Sequence, residues 1–160
     1  MADLTVTITE AVTLNGSSRG STNTLTVAGV DDIYHRIITC PDDVPVTVAN
    51  FHATTGTSDS SLDVENVKYI RVTNMDSSNP VIIDLQMDTA EDDSAAADNC
   101  AMLLEAGKSF VMGSPSDGIF VNDGAATPVT ALSSLVNLES IIVDPLSEAV
   151  QVEVFIASVV

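Results

Sequence analysis

Two histidines, His35 and His52, are the side chains best suited to acid–base chemistry in this sequence. An imidazole works as a catalytic base when an acid orients it beside a nucleophile. His35 lies within the segment IYHRIIT, beside Arg36, and His52 follows Phe51 at the entry to a polar loop. Neither neighbourhood supplies an acid and a nucleophile at a useful spacing. Both residues are therefore interpreted as structural histidines.

An acidic, alanine-rich segment, TAEDDSAAADN at positions 89–99, is the best candidate for a ligand site. Carboxylate and amide oxygens on a loop are the ligands that calcium prefers. Their spacing matches no EF-hand loop, and most acidic loops are simply solvated. A solvated loop is the first interpretation, and a calcium site is the alternative. Its candidate ligands are Asp88, Glu91, Asp92, Asp93 and Asp98, with Asn99 beside them.

Signatures of enzymes are missing from the sequence. It contains no phosphate-binding P-loop, no GxGxxG before a helix and no HExxH, and its GxSxG match, GSSRG at positions 16–20, falls in the turn predicted at Asn15-Gly16-Ser17-Ser18. Paired carboxylates could hydrolyse glycosides, but sugar stacking uses aromatic residues and these make up only 4% of the chain. The sequence predicts neither an enzyme nor a cofactor. The aromatics fall mostly on strand positions that read as core: Tyr34, Phe51, Tyr69, Phe110, Phe120 and Phe155.

Charge is the strongest compositional feature. Twenty-three acidic residues oppose five basic ones, which gives a formal net charge of −18. Such a surface repels nucleic-acid phosphates and anionic membranes, so we expect neither as a partner. It suits solubility, cation binding or a basic protein partner.

Cellular location is indicated by the first residues and by the cysteines. The start, MADLTVT, has neither a basic n-region nor an apolar h-region, so no secretory signal is predicted. Cys40 and Cys100 form no metal-binding spacing. In a chain made in a cytoplasm we expect two free buried thiols, with a single disulfide as the alternative.

Alternation of apolar and polar residues with a period of two runs through the whole chain and predicts short β-strands. Turn residues separate them every 8 to 12 positions, as in an all-β sandwich or jelly roll. We expect one domain over residues 1–160, with the C-terminal strand packed in a sheet or an interface. One short helix is predicted, at 130–138. The predicted strands include residues 4–8, 25–27, 33–39, 44–48, 67–73, 81–87, 102–104, 109–112, 119–121, 141–143 and 150–157.

One stretch, KYIRVTNMDSSNPVIIDLQMD at positions 68–88, reads as strand, tight turn and strand. It predicts a β-hairpin that supplies two central strands. Ile70 and Val72 should face one layer, with Lys68, Tyr69 and Arg71 on or toward the other.

Two segments, DVENVKYIRVTNMDSSNPVIIDL and MLLEAGKSFVMG, together resemble small β-rich virion proteins of tailed phages, especially phages of marine and cyanobacterial hosts. The start LTVTITEAVTLNG and the ending VQVEVFIA fit the same pattern. The resemblance implies a non-catalytic structural protein of a virion, assembled in the host cytoplasm. A capsid decoration (cement) protein is favoured, docking on the major capsid protein as an oligomer, with a trimer preferred. A collar, tail or fibre protein is the alternative, and a calcium-dependent adhesion or glycan-binding module is the alternative of another class.

Three of the five basic residues, Lys68, Arg71 and Lys108, lie in these two segments. Cross-strand salt bridges with Asp84 or Glu105 are the simpler interpretation. The alternative is that the three cations mark a docking face for the acidic surface of a neighbouring subunit.

Overall fold

The computed structural model describes residues 1–52, 62–87, 98–114, 120–122 and 135–159. All regular structure in these ranges is β-strand, so the predicted all-β class is confirmed. Within the same ranges there is no helix that could cross a membrane. The strands are β1 Ala2–Thr9, β2 Thr13–Leu14, β3 Ser17–Ser18, β4 Thr22–Cys40, β5 Val46–His52, β6 Leu62–Asp63, β7 Val67–Asn74, β8 Val81–Met87, β9 Asp98–Leu104, β10 Ser109–Gly113, β11 Phe120–Asn122, β12 Leu135–Asp144 and β13 Val150–Val159.

Two sheets pack face to face as a sandwich. Sheet 1 has the order β1-β4-β13-β7-β10, and sheet 2 has the order β6-β5-β12-β8-β9, with β11 added on β12. Alternate residues of both sheets point into one aliphatic core, where each fully buried side chain contributes about 2 kcal/mol. Among the largest fully buried side chains are Ile70, Ile83, Leu138, Ile141 and Ile156.

A long two-stranded ribbon, here called ribbon A, folds over to join the sheets. In sheet 1, Cys40 of β4 pairs with Val150 of β13, and in sheet 2, Val46 of β5 pairs with Val143 of β12. The two strands therefore stay side by side as they pass from one sheet to the other. A backbone bond from Asp43 N to Leu146 O, 2.9 Å long, ties the two connections together at the fold.

A second ribbon, ribbon B, folds at the same end and corrects the predicted hairpin. β7 and β8 do not pair with each other: β7 lies in sheet 1 between β13 and β10, and β8 lies in sheet 2 between β12 and β9. Their partners follow the same path, since Thr73 pairs with Ser109 in sheet 1 and Val81 pairs with Leu104 in sheet 2. The turn at 75–80 is thus a corner between layers. Both strands are interior, and Ile70 and Val72 do face the core.

Asn74 holds the corner of ribbon B together. Its side chain is fully buried and donates from Nδ2 to Asn79 O at 2.8 Å and to Leu104 O at 3.3 Å, while Oδ1 accepts from Asp76 N at 3.0 Å. Asp76 in turn accepts from the backbone N–H groups of Asn79 and Ser78, and these bonds lower the pKa of its carboxyl group. The corner is therefore fixed by side-chain-to-backbone bonds that replace the sheet ladder.

The predicted short helix at 130–138 is wrong over its last four residues. Residues 135–138 begin β12, where Leu138 is buried and pairs with Met87 of β8. Pairing with β8 and burial in the core override the weak helical pattern of TALSSLVNL. Positions 130–134 lie outside the described residues.

Both thiols are free, but only Cys40 is buried; Cys100, in edge strand β9, is exposed. Burial raises the pKa of the Cys40 thiol, which further suppresses its reactive thiolate.

We expect one of the two thiols to react rapidly with a disulfide reagent in the native protein, and both to react after unfolding. Cys100→Ser should remove the rapid phase and Cys40→Ser should retain it. Rapid native labelling of both thiols would contradict this placement.

Candidate functional site: the outer face of sheet 1

The face of sheet 1 that points away from the core is the most distinctive surface among the described residues. Cross-strand partners point to the same side of a sheet, so the pairing register defines which side chains share this face. Four strands contribute to it: β4, β13, β7 and β10. Its rows are Thr39 and Gln151; Ile37, Glu153, Thr73 and Ser109; His35, Phe155, Arg71 and Val111; Ile33, Ala157, Tyr69 and Gly113.

Glu153 is the centre of a polar network on this face. Arg71 Nη1 donates to Glu153 Oε2 at 2.6 Å, and His35 Nε2 lies 2.8 Å from Glu153 Oε1. Arg71 also donates to Thr73 Oγ1 at 2.7 Å, which places its guanidinium 5.8 Å from the centre of the Phe155 ring. The bonds from Arg71, and then from His35, hold the pKa of the Glu153 carboxyl group below its usual value. The network lies on three strands, so it fastens β4, β13 and β7 together at the surface.

This network should add an acid-sensitive contribution to stability. Because the pKa of Glu153 is lower in the folded chain, its contribution is complete above the unfolded pKa and disappears as the pH falls through the folded pKa. We expect Glu153→Gln to lower the free energy of unfolding by about 0.5 to 1 kcal/mol at neutral pH. At a pH below the folded pKa of Glu153 it should have little effect, since this carboxyl group is then protonated in both the folded and the unfolded chain. Urea unfolding at the two pH values measures the difference.

Glu139→Gln is the matched control, because Glu139 is exposed on β12 and no described side chain bonds to it. It should change stability by less than about 0.5 kcal/mol at either pH. If the two variants showed the same pH dependence, the surface network would not stabilise the fold.

One end of the outer face is covered by the beginning of the chain. Residues 1–28, here called the arm, comprise β1, the small β2–β3 turn and the first residues of β4. Leu25 of the arm approaches so closely that a Cβ at Gly113 would lie 2.8 Å from its Cδ2 atom. Burial beneath the arm raises the pKa of the Tyr69 hydroxyl group. The cluster under and around the arm comprises Val27, Val30, Tyr69 and Ala157, with Leu4, Val6, Leu25, Phe155 and Val159 packed against them.

The rest of the outer face is open and carries little charge. Ile33 is 42% exposed, Ile37 is 59% exposed and Val111 is 41% exposed. Arg71 and Glu153 are oppositely charged and paired, so the face is neutral within a chain of net charge −18. A neutral face with exposed aliphatic side chains is suited to binding another protein surface.

The three cations predicted to mark a docking face lie in different places. Arg71 is on the outer face, but Lys68 is buried and its Nζ donates to Glu65 O at 2.7 Å. Lys108 is exposed in the corner of ribbon B. The three residues therefore do not form one exposed cluster. Arg71 pairs with Glu153 of β13, and not with the expected Asp84, which lies in the other sheet.

Both histidines are exposed, and only His35 joins the network described above. Its acid partner is 118 positions away, so spacing along the chain could not reveal it. The calcium candidates Asp88, Glu91, Asp92 and Asp93 lie outside the described residues, and Asp98 begins β9. Within the described ranges, no group of three or more His, Cys, Asp or Glu side chains is placed to hold a metal ion.

Comparisons with protein-family models, with curated proteins and with solved structures find no match to this chain.

Proposed function

We propose that the chain is a non-catalytic structural protein of a tailed-phage particle, and specifically a decoration protein that docks on the major capsid protein as an oligomer. In this role it binds neither nucleic acid nor membrane. Its virion location and its assembly in the host cytoplasm are parts of the same proposal.

The strand order is the observation that carries the proposal. Two ribbons that fold at the same end and lie side by side place β4-β13-β7-β10 in one layer and β5-β12-β8-β9 in the other. We infer from this order that the sandwich is a jelly roll. Viral capsid and lectin domains use that architecture. A fold alone does not determine function, so the surface has to support the same role.

Surface chemistry supports docking on other proteins. The net charge of −18 keeps free subunits apart and soluble, and it attracts a partner of opposite charge. The open outer face of sheet 1 adds exposed aliphatic side chains that a protein partner could cover. The segments that resemble phage virion proteins, at positions 63–85 and 102–113, contain β7 and β10 entirely and parts of β8 and β9.

Quantitative mass spectrometry of gradient-purified particles, from a phage that encodes this chain, tests the proposal. A copy number comparable to that of the major shell subunit is expected for a decoration protein. A few copies per particle would point to the collar, tail or fibre alternative. Absence of the chain from the particles would refute a virion role.

A binding experiment separates the remaining alternative. Purified chain should sediment with shells of that phage that lack it, and equally well with or without a calcium chelator. Shells of an unrelated phage are the control. Calcium-dependent binding to glycans, without binding to shells, would instead favour the adhesion or glycan-binding module.

A further inference from the structure

The arm leaves the sandwich after it has crossed one end of sheet 1. The second half of β4 pairs with β13, from Cys40 back to Val30, whereas its first half pairs only with β1. A register shift on β1, near Gly29 with φ of +70°, marks the point where the ribbon bends. Beyond this bend the arm is a two-stranded ribbon.

The outer part of the arm, residues 8–21, here called the tip, is exposed and has almost no packing of its own. Backbone bonds from Glu10 N to Ser21 O and from Arg19 N to Val12 O, both 2.8 Å long, hold its strands together. A turn at Asn15 and Gly16, both with positive φ, closes it. A two-stranded ribbon is marginally stable in water by itself, so a tip of this kind gains stability when something covers it.

Three aliphatic side chains are presented to solvent by the tip. Ile8 is 52% exposed, Val12 is 51% exposed and Leu14 is 58% exposed. Three exposed aliphatic side chains on a ribbon of only 14 residues form an apolar surface. Protein interfaces bury apolar surface of this kind at their centre.

Charge selects the partner of the tip. The arm contains Asp3, Glu10 and Arg19, which sum to −1, so the other 132 residues carry −17 of the total −18. Two copies repel each other through their acidic surfaces, and contact is least opposed where both are close to neutral. The arm and the open outer face of sheet 1 both meet this condition. A basic partner would instead be drawn to the acidic surfaces.

We propose that the tip of one copy packs on the open outer face of sheet 1 of a second copy, with Ile8, Val12 and Leu14 covering Ile37 and its neighbours. This inference rests on the self-association part of the proposed function and names its surfaces. Each chain offers one tip and one open face, so the contact is head to tail. It closes into a ring, such as a trimer, when the rotation between copies permits.

Light scattering after size-exclusion chromatography tests the proposal on the purified chain. The wild-type protein is expected to be oligomeric. Leu14→Glu places a carboxylate on the tip, and Ile37→Glu places one on the outer face. Each substitution should weaken self-association by about tenfold or more. Val44→Glu is the matched control, because Val44 is 49% exposed but lies at the corner of ribbon A. It should leave the oligomer intact.

Mixing the two interface variants gives a sharper result. Leu14→Glu retains an intact face and Ile37→Glu retains an intact tip, so the mixture should form a one-to-one dimer that cannot grow. Melting temperatures close to that of the wild type confirm that the variants are folded. A wild-type chain that is monomeric at every concentration, or a mixture of folded variants that stays monomeric, would overturn the inference.

Failure of this inference and failure of the proposed function are distinguishable. A chain that forms rings through tip and face but is absent from phage particles refutes the virion role alone. A monomeric chain that still sediments with shells refutes the arm contact and self-association in solution, and it leaves the virion role standing.

Discussion

Replacement of Asn74 by alanine is expected to lower the free energy of unfolding by about 2 to 4 kcal/mol. The buried carboxamide makes three hydrogen bonds, to Asn79 O, Leu104 O and Asp76 N. Alanine would leave these backbone groups without their partner, and each unsatisfied buried group costs about 1 to 3 kcal/mol. The bond to Leu104 also joins the two strands of ribbon B where they change sheets.

Urea unfolding followed by circular dichroism measures this effect. Asn50→Ala is the control, because Asn50 is an exposed residue of β5 with the same side chain. Its effect should stay within about 0.5 kcal/mol. Equal effects of the two substitutions would mean that Asn74 does not hold the corner.

Lys68→Glu is the second substitution with a large expected effect, a loss of about 3 kcal/mol or more. Lys68 is only 8% exposed, and its ammonium group donates to Glu65 O. Glutamate would remove that donor and place a carboxylate beside a carbonyl oxygen in a poorly solvated site. The variant should therefore be less stable than the wild type, independently of any effect on docking.

Lys108→Glu is the matched control for this charge reversal. Lys108 is exposed, and the corner uses only its backbone, through the bond from Asn74 N to Lys108 O. We expect a change in unfolding free energy within about 0.5 kcal/mol. Melting temperatures of the two variants give the comparison. A Lys68→Glu protein as stable as Lys108→Glu would place Lys68 at the surface after all.

Strands could be predicted from the sequence because a two-residue period is a local signal. Val150 to Ala157 alternates, and the structure has β13 over Val150–Val159. The prediction of a hairpin at 68–88 was wrong. Strands joined by a tight turn normally pair with each other, and nothing in the local sequence shows that this turn connects two different sheets. Asn74 could have indicated the corner. It follows Ile70 and Val72 at a spacing of two, so its side chain points into the core, where a polar group has to bond to the backbone.

The outer face of sheet 1 could not be predicted in the same way. Arg71 and Glu153 are 82 positions apart, and their pairing depends on the strand order of the sheet. Lys68 was misplaced because a lysine near a strand end is usually solvated. Leu4, Val6 and Ile8 alternate uniformly, yet the first two pack on the sandwich and Ile8 is exposed on the arm. A periodic pattern shows which residues share a face, and it does not show what covers that face.

β13 is the last of the described strands along the sequence, but it lies between β4 and β7 in sheet 1. A nascent chain that ends at β12 lacks the strand that joins the two ribbons in that sheet, so β4 and β7 have no common partner during synthesis. Pairing over such sequence separations is slow, because closing the loop costs entropy before any contact forms. We therefore expect the sandwich to form only after β13 has emerged from the ribosome. A chaperone that shields unpaired strand edges should raise the yield of folded protein.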